Sequence, residues 1–326
     1  MSVLEDQLGR RFPYLRLSIT DVCNFRCTYC LPNGYTGPGM RGVLSVDEIR
    51  RLVTAFAGLG TQKVRLTGGE PTLRSDLEQI ISTVVAVPGI ETVALTTNGY
   101  KLPARAARFV AAGVSHMNVS IDSLDAKVFA ELTGHNRLNE VLGGLDAARH
   151  AGLKTARVNA VLMRGVNHDN MEAFEAFVKN RALDVRFIEV MRTGDNAAFF
   201  DKYHWPASDM IKDMVSRGWV EDPRGRLDGP ARVFSHHGYE GRIGFIAPYS
   251  KGFCDTCNRL RVTSRGGLRL CLFADGDHDL RPFLQSDDDV DVLQQSVFDA
   301  LFGKMSAHRL HQMNPGATRH LAEIGG

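Results

Sequence analysis

No stretch of the 326 residues approaches the roughly 20 consecutive apolar residues that a membrane-crossing helix needs, so no helical membrane span is expected. The opening, MSVLEDQLGRRF, has no apolar core behind its charges, so no secretory leader is read there and the expected compartment is the cytoplasm. Charge of one sign is missing too. With 39 Lys+Arg against 37 Asp+Glu the formal net charge is +2, which provides no global attraction to nucleic acid or to a membrane surface. Any anionic ligand must therefore be held by local arginines. Repeats and low-complexity tracts are absent. Cysteine is scarce: six residues fall into two tight triplets, and none is left over. Disulfides rarely persist in the cytosol, so the triplets point to metal or redox chemistry. Each triplet is one ligand short of the four that a closed zinc or iron–sulfur site takes.

What is present has an ordinary globular balance, 44% hydrophobic and 23% charged, in a chain long enough for a large core. Barrel-type α/β folds reach this length as one unit with an appendage. From Tyr14 to Met191 short β-type runs alternate with helical stretches. Strands are expected at 14–20, 63–67, 92–96, 116–120, 155–161 and 185–188, with helices at 46–57, 76–87, 104–112, 138–150 and 170–179. Six strands alternating with helices argue for a parallel sheet. One face of these strands is polar. Arg16, Ser18 and Thr20 oppose Leu15, Leu17 and Ile19, while Lys63, Arg65 and Thr67 oppose Val64 and Leu66. Asn118, Ser120 and Asp122, then Arg157 and Asn159, repeat the theme.

Strands of a doubly wound sheet are usually apolar on both faces, so the pattern favours a partial (β/α)6 TIM-type barrel of parallel strands whose lumen holds a charged ligand. A half-solvated antiparallel sheet, the alternative, fits poorly with helices between the strands. Beyond Met191 the rhythm changes to a helix near 208–217, short β runs, a hairpin around Arg265-Gly266-Gly267 and a helix near 290–302. The expected division is a barrel domain over 1–191 and a C-terminal α+β region over 192–326 that closes the barrel.

The first triplet, DVCNFRCTYCLP, spaces Cys23, Cys27 and Cys30 as C-x3-C-x2-C directly after the first strand, where barrel active sites are built. Three thiolates can hold three corners of a 4Fe-4S cube and leave the fourth iron open to a chelating small molecule. With Tyr29 before the last cysteine and TGGEP, residues 67–71, ending the second strand, the motif resembles that of the radical S-adenosylmethionine enzymes. The resemblance implies that the open iron is chelated by the methionine portion, and that an electron from the cluster releases a 5′-deoxyadenosyl radical. TGGEP resembles that family's backbone site for the methionine amino group, where a missing Cβ lets the main chain approach the ligand. Zinc is the competing reading of these cysteines.

Cys254, Cys257 and Cys271 read C-x2-C-x13-C, again three ligands, so a second cluster would also keep one open iron. Radical enzymes with fully ligated auxiliary clusters need more cysteines than this chain holds. The competing reading is a zinc site completed by His236 or His237. Arg259 and Arg261 follow Cys257 at period two, so on an extended strand they leave the same face as that cysteine. Together with Arg16, Arg65 and Arg157 they would converge on one cavity and repel one another unless a polyanion lay between them. A triphosphate is such an anion, and guanidinium forks bind it bidentately.

Across nearly the whole chain these segments resemble the molybdenum cofactor biosynthesis protein A family, the GTP 3′,8-cyclases. The resemblance is carried by LRLSITDVCNFRCTYCLP, VRLTGGEPTLR, LTTNG, MNVSIDSLD, VNAVLMRGVN, RFIEVM, FCDTCNRLRVTSRGGLRLCLF and the terminal Gly-Gly. It implies GTP contacts at Arg16, Arg65, Thr96, Arg157, Arg259 and Arg261, and S-adenosylmethionine contacts at Tyr29, Gly69, Ser120 and Met191. It also implies two 4Fe-4S clusters, a radical that abstracts the ribose 3′ hydrogen, and a second cluster whose open iron orients guanine. Arg259 and Arg261 would act in catalysis, as would Gly325 and Gly326, threaded into the site. The implied product is 3′,8-cyclo-7,8-dihydro-GTP, passed to a cyclic pyranopterin monophosphate synthase. A low-potential electron donor is required, and a homodimer is compatible with this reading.

Two departures stand out: Val22 replaces an arginine of many relatives, and RHLAEI before the tail follows the family loosely. In RFIEVM strict alternation sends Arg186 and Met191 to opposite faces, so Arg186 is left out of the site and Met191 is taken as a backbone contact. Other readings are a radical enzyme acting on another nucleotide or a peptide, and a non-catalytic iron–sulfur regulator. Ubiquitin-like sulfur carriers also end in Gly-Gly but are small and lack cysteine triplets.

Overall fold

The polar and apolar strand faces both end up buried, and the sheet they belong to is continuous. The computed structural model describes residues 3–325. Strands β1 (Tyr14–Ser18), β2 (Lys63–Thr67), β3 (Thr92–Thr97), β4 (His116–Ser120), β5 (Thr155–Leu162) and β6 (Asp184–Glu189) pair in parallel in sequence order. The later strands are β7 (Val220–Glu221), β8 (Arg232–Ser235), β9 (Arg242–Ile246), β10 (Arg259–Val262), β11 (Gly267–Arg269) and β12 (His278–Asp279). The complete order is β12-β11-β10-β1-β2-β3-β4-β5-β6-β9-β8-β7. Thus β10 extends the parallel series beside β1 and β9 extends it beside β6, while the outermost pairings are antiparallel. The order ends in two edge strands and does not close, consistent with a partial barrel of TIM type.

Curvature follows from which side chains meet. Residues of β10 and of β6 line one cavity, together with residues of β1, β2, β4 and β5. Laid flat, β10 and β6 would stand six spacings apart, roughly 29 Å. The sheet must therefore wrap around the cavity, with its polar face inward.

The opposite face carries the core. Leu15, Leu17, Val64, Leu66, Met117, Val119, Val158, Val185 and Phe187 are fully buried under the helices. Those helices are α1 (Val46–Gly58), α2 (Leu77–Val85), α3 (Ala106–Ala111), α4 (Ala126–Thr133), α5 (Leu138–His150) and α6 (Met171–Lys179). Each such aliphatic or aromatic side chain is worth about 1.5–3 kcal/mol of burial before entropy is counted. The capping box that begins α1 is explicit: Ser45 Oγ accepts from Glu48 N at 3.2 Å and Ser45 N donates to Glu48 Oε2 at 2.8 Å. Helix α4 is not among the sequence-expected elements. Its eight residues make barely two turns, too few for a period of 3.6 to stand out, although Asp125 caps its start and Gly134 ends it with φ 76°.

In the C-terminal region the expected helices appear at Ser208–Ser216 and Val290–Leu301. The latter packs on α1, where Gln294 Nε2 donates to Ala55 O at 3.1 Å. The expected hairpin is β10–β11, with Arg261 opposite Arg269 and Val262 opposite Leu268. No helix among the described residues is long and apolar enough to cross a membrane.

Candidate active site

The loop after β1 carries the first cysteine trio, and the loop after β2 locks against it. Gly69 N donates to Thr20 O and Glu70 N to Val22 O, both at 2.8 Å. A Cβ on Gly68 would run into the Thr20 carbonyl, and one on Gly69 into the carbonyls of Asp21 and Val22. These glycines are thus required first by backbone meeting backbone, a contact the sequence does not announce.

Glu70 fixes the same loop from beneath. Its Oε1 accepts from Thr72 N at 3.0 Å, Thr72 Oγ1 at 2.6 Å and Thr97 Oγ1 at 2.8 Å, and its Oε2 accepts from Asn98 N at 2.6 Å. Both oxygens face a backbone N–H, so glutamine in either orientation must turn its NH2 group against one of them. Glu70→Gln is expected to lower stability by about 2 kcal/mol, the cost of opposed buried donors. A lowered urea midpoint measures it, and an unshifted midpoint contradicts it.

Cys23, Cys27 and Cys30 are free thiols that line a single cavity. Tyr29, Gly69, Thr96, Ser120 and Met191 line it as well. Tyr29 Oη donates to Asp122 Oδ2 at 2.9 Å, and burial pushes the Asp122 carboxyl up to about 6. Burial, then Glu70, pushes the Cys23 thiol up to about 12; burial raises Cys30 to about 11 and, with Asp122, raises Cys27 well above the usual thiol range. Three buried thiols beside two carboxyls need positive charge to ionise, and a metal cluster is a source of it.

The second trio lines a neighbouring cavity together with Arg16, Arg65, Arg157, Arg259 and Arg261. Parallel register sets Arg259 beside Tyr14 and Arg261 beside Arg16. Burial, then Arg16 and Arg259, pulls Arg261 down to about 9; it remains charged at neutral pH but is destabilised by its neighbours. Burial would raise the Cys257 thiol, yet Arg259, Lys304 and Arg261 bring it down to about 7. Asp184 balances one end of the cluster: Arg157 Nε donates to it at 3.0 Å and Arg242 Nε at 2.8 Å. At the other end the Nε atoms of Arg259 and Arg261 are buried with no hydrogen-bond partner, as are Arg186 Nε and the amide oxygens of Asn118 and Asn159. Buried donors and acceptors of this kind fit a polyanionic ligand that carries polar edges.

The two cavities meet at Asn159, Ile188 and Met191, which line both. Thr96, expected on the nucleotide side, lines the first cavity and is tied to the second through Arg65 Nη1, which donates to its Oγ1 at 3.2 Å. Arg186 belongs in the second cavity after all. Strand β6 stops at Glu189, so alternation no longer governs Met191, and both residues reach the interior. Lys63 lies on the strand face already read as polar, while Tyr14 escaped notice because a tyrosine starting a strand reads as core; its parity with Arg16 was the available signal.

At the chain's end, Gly325 adopts φ 61° and its carbonyl accepts from Arg16 Nη2 at 2.5 Å, with Thr67 where a Cβ would sit. Leu321 and Ala322 line the first cavity. Gly326 lies outside the described residues. His236 and His237 lie side by side with tilted rings, centroids 4.3 Å apart, and His236 packs on Trp219. Neither lines the second trio's cavity. Among the described residues no set of three His, Cys, Asp or Glu is arranged around a single metal position.

Two family models match the chain: Radical SAM superfamily over residues 17–178 and Molybdenum Cofactor Synthesis C over residues 183–310. A GTP 3′,8-cyclase of Stenotrophomonas maltophilia (strain K279a) is 53% identical over 326 residues, covering 100% of both chains. A GTP 3′,8-cyclase of Aeromonas hydrophila is 51% identical, covering 100% of this chain and 97% of the relative. Among solved structures, Streptococcus suis SuiB superposes with a TM-score of 0.59 at 14% identity, over 90% of this chain and 67% of SuiB. SuiB bound to S-adenosylmethionine gives 0.57 at 14% identity, over 96% and 75%. At that identity the likeness speaks to fold alone.

Proposed function

The chain belongs to the GTP 3′,8-cyclase family of radical S-adenosylmethionine enzymes, and from that premise we propose how its own residues divide the work. The enzyme converts GTP to 3′,8-cyclo-7,8-dihydro-GTP, the first step of molybdenum cofactor biosynthesis. The observation that carries the assignment is the junction of the two cavities at Asn159, Ile188 and Met191. It lets a molecule held by the first trio touch a molecule held among the arginines.

Cys23, Cys27 and Cys30 would hold the first 4Fe-4S cluster, and Tyr29, Gly69, Ser120 and Met191 would hold S-adenosylmethionine beside it. When bound, these two supply the radical chemistry that removes the ribose 3′ hydrogen. Arg16, Arg65, Arg157, Arg259 and Arg261 grip the triphosphate, with Thr96 at the junction. Cys254, Cys257 and Cys271 would hold a second 4Fe-4S cluster that takes guanine at its open iron. Arg259 and Arg261 neighbour both the trio and the nucleotide, which gives them a share in catalysis. Gly325 completes the site through its bond to Arg16, and the family resemblance gives Gly325 and Gly326 a share in catalysis. Buried side chains around both cavities exclude water from the open-shell steps.

The chain then divides into residues 1–191, the partial barrel with the first cluster and three of the triphosphate arginines, and 192–326, with the second cluster, Arg259, Arg261 and the Gly-Gly end. A low-potential donor feeds electrons in, cyclic pyranopterin monophosphate synthase takes the product, and a homodimer is the assembly we would look for.

Anaerobic incubation with S-adenosylmethionine, reductant and GTP tests this reading. One hydrogen leaves the ribose and one electron and proton return to the ring, so the product should keep the mass of GTP at a changed retention time, with one 5′-deoxyadenosine formed per product. Formation of 5′-deoxyadenosine with GTP left intact would overturn it.

A further inference from the structure

Tyr14, the first residue of β1, has no part in the roles above. It is 3% exposed and lines the second cavity. Arg65 Nε donates to its hydroxyl oxygen at 2.6 Å. The Lys63 ammonium stands 4.9 Å from the ring centroid, and Arg16, next on the same strand face, acts on the phenol through its charge. From the other side the register brings Arg259 alongside. Other charged or titratable groups facing this space are Arg261 on β10, His116 on β4, Arg157 on β5, Arg186 on β6, His308 and the thiols of Cys254, Cys257 and Cys271. Carboxylates are Asp228, in the loop after β7, and Asp184, behind Arg157. Positive charge is thus in excess around one phenol oxygen. Burial alone would raise the tyrosine's pKa; Arg65, then Arg16 and Lys63, outweigh it and pull the group down to about 6.

We propose that Tyr14 is the site's built-in counter-anion: its phenolate holds Arg16, Lys63 and Arg65 until a nucleotide polyphosphate arrives, then takes a proton from solvent and yields those cations to the phosphate oxygens. The proton offsets one of the several negative charges that the polyphosphate brings, since one anion is neutralised as another enters. The arginines can then stay clustered in the empty enzyme, which lowers the cost of ordering them for the substrate. The inference rests on the reading that GTP places its triphosphate in this cavity.

Calorimetric titration of the anaerobically reconstituted holoenzyme tests it, with GTP but no S-adenosylmethionine or reductant, at pH 7.5 in buffers of different ionisation enthalpy. The slope of binding heat against that enthalpy gives protons taken up per GTP. Wild type is expected to take up about one proton more than Tyr14→Phe, as linkage requires of a group that goes from ionised to neutral. A purely structural tyrosine would leave the number unchanged. Guanosine, without phosphates, should show no difference between the two proteins. Equal proton numbers for wild type and Tyr14→Phe overturn the inference alone. Absence of GTP binding to wild type overturns the nucleotide-site reading and this inference with it. If Tyr14→Phe does not fold, wild type decides by itself, because uptake with GTP no greater than with guanosine rejects the counter-anion.

Discussion

Arg261→Ala is expected to slow GTP cyclisation by about 100- to 1000-fold while reductive cleavage of S-adenosylmethionine continues within about twofold. Arg261 is 8% exposed, its Nε has no partner in the protein, and its strand neighbours are Arg16 and Arg269. A buried fork with an unmet donor contributes most when an anion sits against it, and that contribution is lost whole on truncation to methyl. The cleavage chemistry is expected to persist because the residues lining the first cavity do not include Arg261. Removal of Arg261 should even relieve Arg16 and Arg259, so the variant is expected to fold at least as stably as wild type. Separate assays of 5′-deoxyadenosine and of cyclised nucleotide read the split. A parallel loss of both would show that the arginine acts on the first site, and no loss of either would remove β10 from the mechanism.

Cys257→Ala is expected to reduce iron from about eight to about four per chain, by the arithmetic of two cubes of four, and to abolish cyclisation. This cysteine is the most informative of the six because Arg259, Lys304 and Arg261 bring its thiol down to about 7, so the thiolate that metal requires is at hand. The first trio lies in the other cavity and should retain its own iron and its cleavage activity. Iron analysis paired with electron paramagnetic resonance of the reduced protein distinguishes the two centres. A wild-type protein that holds four irons and still cyclises GTP would refute the second-cluster assignment.

Much of this site could be read from residue order because its chemistry is carried by local spacing. C-x3-C-x2-C puts three sulfurs in one loop whatever the fold does around it, and alternation put Arg16, Arg65 and Arg157 on the inner face of successive strands. Elements with a strong period were legible for the same reason, α1 with its Ser45 and Glu48 cap among them. Short elements such as α4 were not, since two turns carry little periodic signal.

Parity failed where a strand stopped. Met191 and Arg186 have opposite parity, yet both reach the interior because β6 ends at Glu189. The glycines of TGGEP had a reason that spacing could not contain, namely the carbonyls of Asp21 and Val22 lying where a Cβ would go.

By itself the sequence determined which groups are available: two thiol trios, a polar face on strand after strand, and arginines enough for a polyanion. It did so because these features depend on neighbours within a few positions, where backbone geometry leaves little choice. Only the tertiary structure decided that the trios line adjoining cavities, that Tyr14 stands among Arg16, Lys63 and Arg65, and that Gly325 reaches Arg16 across 309 positions of chain. Those are contacts between distant segments, settled by how β10 and β9 extend the parallel sheet and how that sheet curves, and no local period encodes them.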